Sequence, residues 1–199
     1  MSTPKELQYE KQAQVLIENL KSRHFDACYC PNKASALEIA LSRIPEGATV
    51  GWGGATSADQ IGLLDAVQQG NYNAIGRSNA NTADVFITGA NALSLDGQMV
   101  NIDGFGNRVS AIIFGPKSVL VIAGMNKVAE DLDAAIRRAR TVAAPINQQR
   151  FLGKTPCTVT GICGDCKSED CICNHMVITR HCRPAGRIKF ILVGEELGF

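Results

Sequence analysis

Neither sign of charge dominates this 199-residue sequence, which has 20 basic and 19 acidic residues and a formal net charge of +1. Nucleic acids and anionic membrane surfaces attract proteins that carry an excess of lysine and arginine, so neither partner is expected. Long apolar runs are also missing. The longest, such as 119–123, have the length of a strand and are too short to span a bilayer.

The first residues, MSTPKELQYEKQ, hold no apolar core of the kind that a secretory signal needs. We therefore expect a cytoplasmic protein. Thiols stay reduced in that compartment, so the eight cysteines are not interpreted as a disulfide framework. Whether the chain forms a homo-oligomer stays open.

Strand-like apolar segments alternate with helical patterns along the chain. The alternation predicts an α/β fold with three layers around a mostly parallel sheet. The run at 118–123 is typical of a strand buried on both faces. A helix is expected over 57–69, and the strongest helical pattern covers 126–140, with Asn126 as its cap and Pro145 just beyond its end.

Cysteines are concentrated in the last quarter of the chain, where their neighbours are Thr, Gly, Asp, Lys, Ser and Asn rather than core residues. Six lie between 157 and 182: Cys157, Cys163, Cys166, Cys171, Cys173 and Cys182. Such neighbours make turns, and turns let several thiolates converge on one point. A metal site is therefore predicted in this segment, whereas Cys28 and Cys30 suit a buried strand.

Two metal groups fit these cysteines. Structural zinc favours two paired knuckles that are a dozen or more residues apart, and only one C-x2-C pair, Cys163 and Cys166, is present. Irregular, tightly grouped cysteines suit a [4Fe–4S] cluster better. Seven basic residues against three acidic ones between 150 and 189 also suit an anionic thiolate centre. The iron–sulfur cluster is the leading interpretation, and zinc is the alternative.

Two further segments could bind a ligand. Gly51, Gly53 and Gly54 follow a strand and precede the helix that contains Ser57, where exposed amides attract anions such as phosphate. The polar segment 100–108 contains Asp103, Asn107 and Arg108. The alternative in both cases is a simple turn.

Because ligands of open α/β sheets bind beyond the carboxyl ends of the strands, we expect both segments at one end of the sheet. The cysteine segment leaves a helix near Pro145 and returns to a strand at 187–193, so it can fold over the same end. Arg108 could grip a carboxylate with two hydrogen bonds. Alternatively it pairs with Asp103 and braces the loop.

Several longer stretches resemble the LUD-domain family, the lactate-utilisation proteins. They are GWGGATSADQIGL (51–63), DVFITGANAL (84–93), DGQMVNIDGFGNR (96–108), FGPKSVLVIAGMNK (114–127) and AAPINQQR (143–150). The tail around Cys157, Cys163, Cys166 and Cys173 resembles one cysteine-bearing branch of that family. The resemblance implies the fold group of sugar-phosphate isomerases and coenzyme A transferases (NagB/RpiA/CoA transferase-like).

The resemblance also implies a ligand set. The family branch usually has Arg where this chain has Cys171, so the implied metal ligands are Cys157, Cys163, Cys166 and Cys173. It usually has Glu at the place of Gln60, which weakens any expectation of a catalytic carboxylate there. The carboxylate nucleophile of coenzyme A transferases has no clear counterpart, and Asp103 is the nearest candidate by context.

These observations divide the chain into a LUD-type α/β domain (1–150), a cysteine-rich metal-binding segment (151–185) and a final strand returning to the sheet (186–199). The leading functional hypothesis is a redox or electron-relay protein that binds a small anionic organic acid or a phosphate-bearing ligand and passes electrons to redox partner proteins. Alternatives are a transferase or isomerase with structural zinc, and a module that senses iron or oxidants. Whether the protein is an enzyme is left open.

Overall fold

The centre of the fold is a six-stranded parallel sheet, seen in a computed structural model that describes residues 3–77 and 79–199. In spatial order its strands are β1 (Asp26–Cys30), β10 (Ile188–Val193), β7 (Ser118–Gly124), β4 (Val85–Gly89), β2 (Thr49–Trp52) and β3 (Asn73–Gly76). All five residues of β4 are buried, as expected of a central parallel strand covered on both faces. The expected three-layer α/β architecture is therefore confirmed.

Helices cover both faces of this sheet and create two separate hydrophobic cores. One core lies under α1 (Pro4–Ser22) and α5 (Asn107–Ile113). The other lies under α2 (Lys33–Ser42), α3 (Thr56–Gln60) and α4 (Leu63–Gln69). Side chains alternate between the two faces of a strand, so Val119 and Val121 of β7 enter the first core, while Leu120 and Ile122 enter the second.

A second, four-stranded sheet was not predicted. Its order is β8 (Val128–Ala129), β5 (Ala92–Ser94), β6 (Met99–Asp103) and β9 (His175–Thr179). β5 and β6 form a hairpin in which Gly97 has a φ of 91°. β9 comes from the cysteine-rich segment and pairs antiparallel with β6, so that segment is joined to the rest of the fold by a full strand.

The prediction of a helix over 126–140 is wrong at its start. Met125–Lys127 form a 3-10 turn and β8 follows, so the helix α6 begins only at Leu132 and ends at Arg138. The Asp131 side chain caps it by accepting a hydrogen bond of 2.7 Å from the Ala134 amide. The periodicity missed this because β8 forms through pairing with the distant β5.

Two further helix predictions need correction. The helix expected over 57–69 is divided into α3 and α4 at Gly62, which has a φ of 79°. Pro145 does not follow the end of its helix but lies inside α7 (Ala144–Gln148), directly after a π-helical turn at Ala139–Ala143. Proline lacks an amide donor, and the wider π turn accommodates that loss, so the helical backbone continues.

Within 3–77 and 79–199, the structure has no helix with the length and apolar character needed to cross a membrane. The short helix α8 (Pro156–Thr160) carries the first residue of the predicted metal site, Cys157.

Candidate ligand cavity and cysteine segment

A cavity of about 560 Å³ lies at the carboxyl ends of three neighbouring central strands. Gly54 follows β2, Ala90 follows β4 and Lys127 follows β7, and all three line the cavity. Loops at this edge of an open α/β sheet are the usual location of ligands. The topology therefore places the cavity where a functional site is expected.

Most of the residues predicted to bind a ligand line this cavity: Gly54, Ser57, Asp103, Asn107 and Arg108. Gly51 and Gly53 do not. A Cβ on Gly51 would lie 3.2 Å from the Cα of Ala80, and one on Gly53 would lie 2.8 Å from the Cγ of Arg108. The Gly53 amide already donates to the carbonyl of Ile87 at 3.2 Å. The role of Gly53 is therefore to leave room for Arg108.

Arg108 is held by protein partners. Its Nη2 donates to Asn91 Oδ1 at 2.8 Å and to the Ile102 carbonyl at 2.6 Å, and its Nε lies 3.5 Å from Asp103 Oδ2. Only 12% of the Arg108 side chain and 9% of the Asp103 side chain are exposed. Burial lowers the pKa of Arg108, and Asp103 opposes that shift. These contacts favour the interpretation in which Arg108 pairs with Asp103 and braces the loop.

Asp103 also organises the turn that follows β6. Its Oδ1 accepts a hydrogen bond of 3.0 Å from the Gly106 amide, while its other oxygen faces Arg108. Both carboxylate oxygens therefore have protein partners, which suits a structural carboxylate better than a free nucleophile.

Lys127 is a functional candidate that the sequence analysis missed. Only 4% of this residue is exposed, and its Nζ donates to Ser57 Oγ and to the Ala90 carbonyl, each at 3.0 Å. Among the residues that the structure describes, no carboxylate lies within ion-pair distance of Lys127. Burial, Arg138 and Arg108 together lower its pKa to about 7.

Gln148 is a second candidate that was missed. It is 1% exposed and lines the cavity, and its Nε2 has no hydrogen-bond partner within the described part of the chain. An unused buried donor costs free energy unless a ligand or water supplies an acceptor. Arg150, also on this wall, adds a positive charge. This wall is therefore suited to a ligand with acceptor oxygens.

Lys127 had a usable signal in the sequence, whereas Gln148 had none of its own. Lys127 comes within three residues of the end of a buried strand, where polar residues of parallel sheets gather at the ligand edge. Its assignment to a helix hid that signal. Gln148 belongs to the stretch AAPINQQR, which was noted for its resemblance to a family rather than for any chemistry.

The cysteine segment folds over the turn between β6 and α5. Asn174 Nδ2 donates to the Gly104 carbonyl at 3.1 Å, and a Cβ on Gly104 would lie only 3.4 Å from the Cα of Ile172. Cys171 and Ile172 consequently line the same cavity as Gly54. The sequence analysis expected the cysteine segment to fold over this end of the sheet, and the segment lies there.

Thiols of this segment lie near one another. Burial, followed by the neighbouring thiols of Cys171, Cys163 and Cys157, raises the pKa of Cys173 to about 12. The pKa of Cys171 is also raised, first by burial and then in part by Cys166. Over 3–77 and 79–199, however, no three or more His, Cys, Asp or Glu side chains are arranged to hold a single metal ion. The thiols are thus grouped without forming a compact one-ion site.

The remaining cysteines lie elsewhere, and all eight cysteines are free thiols. Cys182 is buried in the first core, where its Sγ accepts from the Ile188 amide at 3.3 Å and donates to the Pro184 carbonyl at 3.1 Å. Cys28 and Cys30 lie on β1 at the edge of the large sheet. None of these three thiols lines the cavity.

Comparison with known proteins identifies a family and several similar solved structures, two of which are described here. The model of the LUD domain family matches residues 13–193. A crystal structure of a DUF162 family protein from Deinococcus radiodurans superimposes with a TM-score of 0.53 over 94% of this chain and 97% of that chain, at 10% sequence identity. Ribose 5-phosphate isomerase A from Neisseria gonorrhoeae gives a TM-score of 0.36 over 50% of this chain and 54% of that chain, at 21% identity. No curated protein is significantly similar to the chain.

Proposed function

The chain belongs to the LUD-domain family, and from that premise we propose that it binds a small organic acid beside a thiolate-held iron–sulfur cluster, as an electron relay in lactate or related organic-acid metabolism. One observation carries the proposal. A single cavity is bounded on one side by buried hydrogen-bond donors and on another by the cysteine segment.

The donor side supports an anionic ligand. Gln148 offers an unused N–H, and Arg108, Arg150 and Lys127 bring basic groups to the wall or the floor. A volume of about 560 Å³ lies within the usual range for small-ligand sites and leaves room for acids larger than lactate. The same donors suit phosphate, so a phosphate-bearing ligand is the alternative.

The cysteine side supports an iron–sulfur cluster through the chemistry of its donors. Cys157, Cys163, Cys166 and Cys173 would hold the group, which when bound supplies one-electron transfer. A cluster places iron and sulfide between its ligands and so tolerates wider thiol spacing than one tetrahedral zinc ion, whose sulfurs bind at about 2.3 Å. The thiols of Cys171, Cys163 and Cys157 all raise the pKa of Cys173, so these thiols lie in one neighbourhood.

Other features of the segment are compatible with this role. Arg140, in the π-helical turn before α7, forms an ion pair with Asp165. This pair connects that turn to the loop between Cys163 and Cys166. A cytoplasmic location would keep the thiols reduced for cluster assembly. Redox partner proteins would then exchange electrons at the exposed side of the segment.

Replacing any one of the four proposed ligands, Cys157, Cys163, Cys166 or Cys173, with serine should remove most of the bound iron. Serine supplies a poorer ligand than thiolate for iron–sulfur clusters. The measurement is iron, zinc and sulfide content after anaerobic purification, together with absorbance in the visible range. The domain should stay folded, because the large sheet has its own cores.

Cys182→Ser and Cys171→Ser are the controls for that experiment, and both should retain iron. An equal loss of iron in Cys171→Ser would show that the ligand set is wrong. A colourless wild-type protein with stoichiometric zinc would contradict the cluster and favour a transferase or isomerase with structural zinc.

Gly54→Val should abolish ligand binding while preserving the fold. A Cβ on Gly54 meets no atom within 4 Å and the residue lines the cavity, so the added methyl groups would occupy ligand space. A bound acid stabilises a protein by about 2.7 kcal/mol at a hundred times its Kd, and this gain should disappear. Thermal melts with lactate, pyruvate, phosphate and coenzyme A provide the measurement.

Gly53→Ala is the matched control. Its new Cβ would displace Arg108 rather than fill the cavity, so it should lower the melting temperature of the ligand-free protein, which Gly54→Val should not. If none of the four compounds raises the melting temperature of the wild type, the ligand half of the proposal is wrong.

A further inference from the structure

We propose that Lys127 is a carbonyl-reactive amine, and that its side chain forms a Schiff base with the carbonyl carbon of a 2-oxo acid held in the cavity. The inference rests on the proposed function for the location of the ligand. It goes further by assigning a chemical class to that ligand and a covalent role to one residue.

The first argument is position. Lys127 follows the central strand β7, lies at the floor of the cavity and is 4% exposed. Its Nζ is oriented by Ser57 Oγ and the Ala90 carbonyl, each at 3.0 Å. A neutral primary amine that donates its two hydrogens to these acceptors keeps its lone pair free. The side chain borders the cavity. The amine is thus fixed in place beside the ligand space.

The second argument is the charge around the amine. Arg138 on α6 and Arg108 on α5 are the charged groups that influence Lys127, and both are positive. Three acids line the cavity: Asp103 is paired with Arg108, Asp170 accepts from the Lys154 amide at 2.8 Å, and Glu169 lies beside Asp170 in the cysteine segment. Ser57 on α3 is neutral, and the contact from the end of β4 is a backbone carbonyl. Phe199 at the carboxyl end of the chain has an oxygen that accepts from Arg138 at 3.4 Å. Within 3–77 and 79–199, neither that end nor any of these acids lies within ion-pair distance of Lys127 or is among the groups that shift its pKa.

The consequence is a large neutral fraction. With a pKa of about 7, close to half of the Lys127 side chains are free amines at neutral pH. An ordinary lysine has a pKa of about 10.4, so fewer than roughly one in a thousand of its side chains is neutral at pH 7. Only the neutral amine attacks a carbonyl, which is why desolvated lysines beside other cations serve as Schiff-base residues.

The reaction balances without an oxidant or reductant. The lone pair of Nζ adds to the carbonyl carbon of the acid and gives a carbinolamine. The former carbonyl oxygen leaves as water with the two hydrogens that the neutral amine carried, and a C=N bond remains. Ser57, whose hydroxyl is 3.0 Å from Nζ, is placed to carry a proton from the nitrogen to that oxygen.

The acid class follows from the rest of the cavity. A 2-oxo acid has its carboxylate on the atom next to the carbonyl carbon, and the cavity offers the unused Gln148 donor for such oxygens. A 2-hydroxy acid such as lactate can use the same donors but cannot form a C=N bond. The site would therefore distinguish the oxidised from the reduced member of such a pair by covalent capture.

The test is reductive trapping. Full-length protein, purified without oxygen, is incubated with pyruvate and sodium cyanoborohydride, digested and analysed by mass spectrometry. We expect one modified lysine, Lys127, heavier by the mass of pyruvic acid less one oxygen atom. Lactate should give no adduct. Between pH 6 and pH 8 the trapping rate should rise and then approach a plateau, since the amine titrates near pH 7.

Two variants make the result specific. Lys127→Arg keeps a positive charge but has no attacking amine and should lose the adduct. Lys117→Arg is the matched control, because Lys117 is 83% exposed and paired with Asp84, which raises its pKa. That variant should trap pyruvate like the wild type.

The outcomes separate this inference from the proposed function. If pyruvate raises the melting temperature but no adduct forms at Lys127, or adducts form equally on surface lysines, the Schiff-base role is wrong and the ligand site stands. If none of lactate, pyruvate, phosphate and coenzyme A raises the melting temperature and no adduct forms, the ligand half of the proposed function fails together with this inference.

Discussion

The Lys127→Met variant is expected to lose a rise in stability with pH that the wild-type protein shows between about pH 7 and pH 10. The buried amine of native Lys127 has a pKa of about 7, whereas in the unfolded chain its pKa returns to the ordinary range. Between these two values the unfolded chain binds more protons than the native protein. The free energy of unfolding therefore increases with pH, by up to about 1.4 kcal/mol per unit.

The sign can be checked at both ends of the range. Below pH 7 the amine is protonated in both states, so the cost of burying its charge is constant. Above about pH 10.5 it is neutral in both states, and the slope disappears. Between about pH 7 and pH 10.5, the difference in the free energy of unfolding between wild type and Lys127→Met should change by roughly 3 to 5 kcal/mol. The shift in pKa makes this an upper bound.

Urea unfolding at a series of pH values measures this difference. Thiols also titrate in this range, but they are present in both proteins, so their contribution cancels in the comparison. Lys117→Met serves as control, because Lys117 is exposed and its pKa is raised by Asp84. That control should leave the slope between pH 7 and pH 10 unchanged. A parallel pH profile for wild type and Lys127→Met would show that Lys127 is not buried as a neutral amine.

Removing Arg108 should have the second large effect. Arg108→Met leaves the Asp103 carboxylate 9% exposed and without its cation, and it also removes the donor shared by Asn91 Oδ1 and the Ile102 carbonyl. Loss of one partner of a buried ion pair costs roughly 3 to 5 kcal/mol, because the other charge stays buried and uncompensated. Denaturant unfolding at neutral pH measures this cost.

The double variant Arg108→Met with Asp103→Asn should recover a large part of that loss, since no buried charge is then left alone. Asn keeps an oxygen that can accept from the Gly106 amide. Equal stability of the single and double variants would contradict the bracing role. Arg108→Lys tests recognition separately: a loss of ligand affinity beyond the loss of stability would mean that the guanidinium also contacts the acid.

Features that depend on neighbouring residues could be predicted from the sequence. The apolar run of β7 is long enough to identify a doubly buried strand, and in the structure all of its residues after Ser118 are buried. The concentration of cysteines in polar surroundings is likewise local. Five of the seven predicted ligand residues line the cavity, because strand ends and polar loops can be recognised one at a time.

The predictions that failed concern residues whose contacts are distant in the chain. Val128 reads as a helical residue by periodicity, yet it pairs with Leu93 and becomes a strand. Gly53 reads as part of an anion loop, yet its missing side chain makes room for Arg108, more than fifty residues later. Neither role has a signal within the window that a local pattern covers.

The sequence by itself determined the family, the α/β class and the presence of a cysteine-rich segment, because each is recorded in residue order and spacing. Only the tertiary structure decided that Lys127, Gln148 and Cys171 share one cavity. It also decided the charge state of Lys127, since a pKa depends on burial and on which charges surround the group. Those neighbours, Arg108 and Arg138, come from two other helices, and only folding brings them to the end of β7.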